Sequence, residues 1–207
     1  MWRVLTAVVL VFAAARTTYG QVHPPTLDRA GTVIAALPQT TIERRADKFT
    51  ANSGVDVAWN DLLRTDKQGR VRVTLVDQTI VSLGSDSQLR MVKTQARTQQ
   101  TTLELTYGRI RMQIVKVVQG GHFELRTPTA VAGVVGTDFG ADASQPGVTK
   151  FVCIAGDVRI SSTDPKVGGT VVCHAGSTVA VSAGKPPAAP EPATPEQLER
   201  WRQITEP

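Results

Sequence analysis

The sequence predicts an all-β domain, and three observations carry that prediction. Short apolar runs dominated by Val and Thr follow one another from residue 31 to residue 183, as expected for strands. Turn-forming groups that contain Asn, Gly or Pro separate these runs at 52–54, 67–69, 120–121, 145–147 and 168–169. Apolar and polar residues also alternate with a period of two, which is typical of strands with one buried face. The alternation is clearest where Val71, Val73 and Leu75 are interleaved with Arg72 and Thr74.

The polar faces of these predicted strands are rich in arginine. The residues concerned are Arg64, Arg70, Arg72, Arg109 and Arg111. Two interpretations stay open: a solvated sheet face, or a face that contacts a partner or an anionic polymer. Nucleic acid is not an expected partner, because these strands lack stacking aromatic residues and the chain has no block of Lys and Arg.

The chain of 207 residues is 41% hydrophobic and long enough for one domain with extensions. Local composition divides it into five predicted segments. The segments are a signal peptide at 1–20, an extension at 21–30, the β domain at 31–184, a Pro-rich linker at 185–193 and a short amphipathic helix at 194–205.

Residues 1–20 predict export. Arg3 precedes an apolar stretch, 5–15, that is too short for a stable membrane anchor, and small residues at 18 and 20 favour cleavage before Gln21. The alternative is an uncleaved N-terminal anchor. No later segment is apolar enough to span a membrane, so we expect the mature chain to be exported.

A repeat surrounds the two cysteines. The sequence Val-Cys-Ile-Ala-Gly at 152–156 is echoed by Val-Cys-His-Ala-Gly at 172–176. Cys153 and Cys173 are therefore expected at equivalent places on neighbouring strand units, where their side chains meet. An oxidising compartment then favours a Cys153–Cys173 disulfide. The alternative is a pair of buried free thiols.

The C-terminal segment has the signals of a helix start. Thr194 suits the N-cap, and Gln197 can complete a capping box. A narrow apolar stripe follows, formed by Leu198, Trp201 and Ile204. So short a helix is unstable alone, so we expect it to dock on its own domain or on a partner.

No constellation of residues predicts catalysis, a metal site or a cofactor. The three histidines are scattered, and none has a second ligand at metal spacing. His174 adjoins Cys173, but no third residue orients the pair. Asp138 lacks a second carboxylate at a definable spacing, so a surface position is expected for it. The chain is therefore not expected to be an enzyme.

Residues 123–139, read as FELRTPTAVAGVVGTDF, resemble the central motif of the FecR domain, a bacterial envelope domain. The matching residues are Thr127, Pro128, Ala130, Val134, Gly136, Thr137 and Phe139. Val135 stands where the family often has arginine. Upstream, residues 61–65 resemble the D-x-(I/L)-R-T element of the family, and Gln78 replaces the usual glycine of a later hairpin turn.

The resemblance covers roughly residues 31–184 and implies a jelly-roll-like β-sandwich. A short β-solenoid is the alternative, which the twenty-residue repeat favours. For function, the resemblance implies a non-enzymatic envelope module for signalling or protein interaction. Together with the predicted signal peptide, it implies a location in the periplasm, or secreted or at the cell surface, of a bacterium. Well-known family members receive a signal from an outer-membrane receptor and pass it to a sigma factor. The alternative is a structural or carbohydrate-binding module, for which Trp59 and Tyr107 are the candidate aromatic residues of the β region.

Overall fold

Two nine-stranded β-sheets pack face to face and enclose one hydrophobic core. The computed structural model of the chain describes residues 28–95, 100–115, 122–134 and 136–204. The predicted all-β sandwich with a short C-terminal helix is confirmed. The predicted signal peptide, 1–20, and the extension up to residue 27 lie outside the described residues.

The first sheet, sheet A, is antiparallel throughout its described pairs. In spatial order it contains β18 (Glu191–Pro192), β17 (Ser177–Ser182), β14 (Val148–Ala155), β13 (Asp138–Asp142), β10 (Arg109–Gln113), β7 (Ile80–Leu83), β6 (Val71–Leu75), β1 (Arg29–Ala36) and β4 (Asp56–Ala58).

The second sheet, sheet B, contains one parallel pair, β9 with β11, among antiparallel neighbours. In spatial order it contains β16 (Thr170–His174), β15 (Asp157–Ser162), β12 (Ala130–Val134), β11 (His122–Arg126), β9 (Gln100–Tyr107), β8 (Ser87–Gln95), β5 (Leu62–Thr65), β2 (Thr40–Arg44) and β3 (Asp47–Thr50).

From β5 onward, both sheets grow along one axis in chain order. Hairpins alternate between the layers: β6 and β7 pair in sheet A, β8 and β9 in sheet B, then β13 and β14 in sheet A and β15 and β16 in sheet B. The two copies of the twenty-residue repeat mark two successive crossings between the sheets. The first copy, 152–156, leads from β14 to β15, and the second, 172–176, leads from β16 to β17. This progression is the solenoid-like element of a two-sheet sandwich.

The core follows the predicted alternation. Val71, Val73 and Leu75 on β6 are at most 3% exposed, whereas Arg72 and Thr74 between them are only half-buried. Large side chains from both sheets meet between the layers, among them Phe123, Phe139, Phe151, Leu89 and Met112. The alternation in the sequence therefore corresponds to the two faces of each sheet, one turned to the core and one turned outward.

One helix, α1 (Pro195–Ile204), follows the strands. Among the residues that the structure describes, no helix is both long enough and apolar enough to cross a membrane.

The turn between β6 and β7 keeps a glycine-like backbone although Gln78 occupies it. Gln78 has φ +68°, in the left-handed region. Its N–H donates to the carbonyl of Leu75, and the Asp77 carboxylate accepts from the N–H of Thr79. The turn therefore has a left-handed residue at position 78, a backbone conformation that is unfavourable for a residue with a Cβ.

Replacing Gln78 with glycine is expected to raise the free energy of unfolding by about 0.5–1 kcal/mol. Removal of left-handed strain stabilises the fold, and the added freedom of the unfolded chain offsets part of the gain. Urea denaturation measures the change. Gln68→Gly is the matched control, because Gln68 is exposed in a turn and its φ is not positive. A loss of stability at position 78 equal to that at position 68 would contradict the prediction.

Candidate functional site

The C-terminal helix begins with the predicted capping box. The Gln197 N–H donates to Oγ1 of Thr194 at 3.2 Å, and the Thr194 N–H donates to Oε1 of Gln197 at 2.8 Å. These reciprocal bonds fix the direction in which the helix leaves β18.

The helix docks on its own domain through Trp201. The indole of Trp201 lies on Gly140, so close that a Cβ at position 140 would come within 2.5 Å of a ring carbon. Gly140 is on the outer face of β13, between the inward-facing Phe139 and Ala141. A glycine in the middle of a strand thus marks the close approach of another element. Leu198, the other predicted contact of the helix, is half-buried.

Replacing Gly140 with alanine is expected to displace Trp201 and release α1. The new Cβ overlaps the indole, and ten residues do not hold a helix without tertiary contacts. We expect the amide hydrogens of residues 198–204 to exchange at least about tenfold faster, while the strands stay protected. Gly133→Ala on β12 is the matched control, since the nearest atom to its Cβ is 4.0 Å away. Unchanged helix protection in Gly140→Ala would contradict this docking mode.

A cleft of about 300 Å³ lies on the outer face of sheet A, bordered by the helix and by residues 188–191. We call it the C-terminal cleft. Its lining residues are Asp142, Lys150, Phe151, Val152, Thr178, Val179, Ala180, Ala188, Ala189, Glu191, Gln197 and Trp201. A second cavity of about 440 Å³ adjoins it and shares Asp142 and Lys150 with it. Together they form one surface of mixed polar and apolar character, with Trp201 as an aromatic wall.

Charges of both signs border the C-terminal cleft. Nε of Arg109 bonds to Oδ2 of Asp142 at 3.0 Å. Burial raises the pKa of Asp142, but hydrogen bonds from Ser144 and Arg109 outweigh burial, and the net pKa lies below its usual value. Lys150 and Glu191 form no ion pair with any described residue. These two charges are available to a binding partner.

The arginines predicted on a common wet face occupy several environments. Arg72 and Arg109 lie on the outer face of sheet A, where Arg72 bonds to Ser82, but Arg64 lies on sheet B. Arg70 precedes β6 and is half-buried.

Arg111 corrects the expectation of a wet side chain, because it is only 7% exposed. It forms a two-point ion pair with Asp138 at 2.8–2.9 Å and lies opposite Gly140, where Trp201 packs. Asp138 therefore has a structural partner. Contact of these arginines with another protein stays a prediction.

The Thr-Pro motif joins the two sheets. Between β11 and β12, Oγ1 of Thr127 accepts from the N–H of Ala130 and lies 2.9 Å from Oγ1 of Thr149 on β14. Thr129 donates to Thr149 at 2.8 Å or to the carbonyl of Val181 at 3.0 Å. Pro128 is exposed at the tip of this turn. The motif is thus a buried hydroxyl network rather than a reactive site.

The remaining motif residues line the core or turn the chain. Ala130, Val134 and Phe139 are buried, Gly136 has φ +69°, and Thr137 lies against Gly156. Position 135 lies outside the described residues.

Cys153 and Cys173 are buried free thiols that lie close enough together to shift each other's pKa. They occupy equivalent positions before the glycine corners at 156 and 176. The strands are not neighbours in one sheet, however, since β14 belongs to sheet A and β16 to sheet B. Their disulfide stays a prediction. His174 points away from the core, and its Nδ1 lies 2.8 Å from Oδ1 of Asp157.

The described residues contain no group of three or more His, Cys, Asp or Glu placed to hold a metal ion. Trp59 packs partly buried against the core and Tyr107 is 41% exposed. Neither residue lines the C-terminal cleft or the adjoining cavity.

A comparison of the sequence with known protein families finds a match that includes this motif. Residues 61–159 match the family described as FecR protein. This region is a FecR domain. The expected family is thereby confirmed over a shorter range than the resemblance suggested. No curated protein matches the chain.

The FecR domain fold also occurs in solved structures. Two crystal structures, at 1.65 and 2.50 Å, are of a protein from Parabacteroides distasonis ATCC 8503 provisionally described as an anti-sigma factor. Each matches with a TM-score of 0.58 and 18% sequence identity, over 69% of this chain and 64% of that chain. The chain thus spans less than two thirds of the solved protein, and the likeness establishes the shared fold.

Sequence reasoning missed the C-terminal cleft. Asp142, Lys150 and Glu191 come together only because β13, β14, β17 and β18 are adjacent in sheet A. The available signal was Gly140, a glycine within an otherwise strand-like run.

Proposed function

We propose that this chain is a non-enzymatic protein-binding module that acts in signalling within the bacterial cell envelope. The observation that carries the proposal is the FecR domain at residues 61–159. The solved protein of similar fold is provisionally described as an anti-sigma factor, which is a regulatory protein. That description supports a role in signalling.

The use of buried polar groups supports a binding rather than a catalytic role. Thr127, Thr129 and Thr149 bond to one another or to the backbone, and the buried Asp61 is held by Arg44. These groups stabilise the fold, and none of them lines the C-terminal cleft or the adjoining cavity. Export rests on the basic and apolar pattern of residues 1–20.

The C-terminal cleft is the surface that we assign to partner binding. Aromatic anchors beside charges that become desolvated are typical of the energetic centre of protein interfaces. Trp201 supplies the aromatic wall, and Lys150 and Glu191 supply charges without partners among the described residues. A protein with a complementary pair of charges flanking an apolar side chain would fit this surface.

Site-specific photo-cross-linking in whole bacterial cells tests the proposal. A benzoylphenylalanine at Ala189, which is exposed and lines the cleft, is expected to give a discrete adduct with another protein. The same group at Arg159, exposed on the outer face of sheet B, is the matched control. We expect Lys150→Ala and Glu191→Ala to lower the adduct yield severalfold.

The nature of the adduct separates the candidate functions. A protease-sensitive adduct at position 189 alone supports a protein partner. An adduct that survives protease but is removed by glycan hydrolases would support the polymer-binding alternative. Equal labelling from both positions, or none, would contradict the assignment of the cleft.

A further inference from the structure

The two cysteines are placed for a covalent link between the layers of the sandwich. Cys153 lies on β14 of sheet A and Cys173 on β16 of sheet B, and both are 0% exposed. Sγ of Cys173 lies next to Ser177, the register partner of Cys153, and each thiol is close enough to the other to shift its pKa. No other described cysteine exists, so each thiol has one possible intramolecular partner.

The backbone around the thiols is fixed by the corner between β16 and β17. Sγ of Cys173 donates to the carbonyl of Ser177 at 3.4 Å. Ser177 is the register partner of Cys153, and the N–H of Gly176 donates to the Cys153 carbonyl at 2.8 Å. Both cysteines are therefore tied to the two neighbouring residues Gly176 and Ser177, which hold them in place on opposite sheets.

We infer that Cys153 and Cys173 form a disulfide that joins the two sheets at the C-terminal end of the sandwich. This bond is independent of the proposed partner binding. It would attach β16, the edge strand of sheet B, to β14 in the interior of sheet A. A bond between layers restrains their separation, which hydrogen bonds within each sheet do not.

The two thiols of the folded chain differ in acidity. The hydrogen bond with Cys173, together with burial, raises the pKa of the Cys153 thiol. The hydrogen bond from Cys153 lowers the pKa of Cys173. In the folded chain, the thiol of Cys173 is therefore the more acidic of the two.

Oxidation requires an external disulfide, of low molecular mass or on a protein. The thiolate of one cysteine attacks one sulfur of that disulfide, forms a mixed disulfide and expels the other sulfur as a thiolate. The second cysteine then loses its proton, attacks Sγ of the first and expels the remaining sulfur of the external disulfide as a thiolate. One disulfide is reduced to two thiols and one is formed. Since both thiols are fully buried in the native fold, we expect this exchange to occur before the sandwich closes.

Refolding of the full chain tests the inference. Purified, fully reduced protein is unfolded in denaturant and refolded either with oxidised and reduced glutathione or with a phosphine reductant. After denaturation and treatment with N-ethylmaleimide, protein refolded in glutathione is expected to carry no maleimide and to remain a monomer. Protein from the phosphine is expected to carry two. The oxidised form should melt about 6–12 °C higher, as expected for a closed loop of this length.

A Cys153→Ala variant provides the control, because it cannot form the bond and should melt at the same temperature in both buffers. Should that variant fail to fold, the reduced wild-type chain serves as the unbridged reference. Two modified thiols after oxidative refolding, or a disulfide-linked dimer, would overturn the inference. A bond that forms without raising the melting temperature would overturn its role in holding the sheets together.

Discussion

Replacing Asp61 with alanine is expected to lower the free energy of unfolding by about 3 kcal/mol, near the lower limit for breaking a buried ion pair. Asp61 is 1% exposed and accepts from Nε and Nη2 of Arg44, the latter at 2.7 Å, and from the N–H of Ala58 at 2.8 Å. The substitution leaves that N–H and the guanidinium without their acceptor. Arg44 is 26% exposed and keeps its bond to the Asp56 carbonyl, which limits the loss.

Urea denaturation of Asp61→Ala beside Asp66→Ala measures this effect. Asp66 is an exposed carboxylate five residues further along, and its loss is expected to change stability by less than about 0.5 kcal/mol. Asp61→Asn keeps an acceptor and should fall between the two. If Asp61→Ala were no less stable than Asp66→Ala, the buried ion pair would not be a principal support of the fold.

Replacing Phe139 with alanine is expected to cost about 3–5 kcal/mol, because it deletes a fully buried aromatic side chain from a packed core. Phe139 is 0% exposed and lies between Met112 and Cys153 in the register of sheet A. A cavity at this place removes contacts with strands on both sides of β13. The final Phe of the Gly-Thr-x-Phe motif is therefore explained by packing.

Denaturation in urea again gives the measurement, with Val76→Ala as the control. Val76 is 58% exposed, so its truncation is expected to change stability by less than about 0.5 kcal/mol. Phe139→Leu preserves most of the volume and should cost much less than Phe139→Ala. Equal losses for leucine and alanine would show that volume is not what position 139 supplies.

Much of the fold could be predicted from the sequence because burial in a two-layer sandwich repeats every second residue. Val71, Val73 and Leu75 illustrate this, as do Ile110 and Met112, which are all buried. The rule failed at Arg111, which alternates with apolar residues yet is buried. Local alternation gives the face on which a side chain lies, but it cannot show what covers that face.

Contacts between remote segments account for the rest of what the sequence did not show. The repeat correctly placed Cys153 and Cys173 in equivalent positions, but nothing local distinguishes neighbours within a sheet from neighbours across the core. The C-terminal cleft depends on Trp201 meeting Gly140, which is far away along the chain. Short-range patterns predict elements and capping, whereas sites assembled from distant elements require the topology.

The growth of both sheets in chain order has a consequence for how the protein folds. From β5 onward, each strand pairs with an earlier strand or with one that follows at most three strands later. Loop closure is therefore inexpensive in entropy for a β-sandwich, and contact order is low compared with folds that pair their two ends. The chain can acquire its layers progressively from the N-terminal side as it emerges from a ribosome or a translocation channel. The C-terminal helix, which arrives last, completes the outer face of a structure that is already formed.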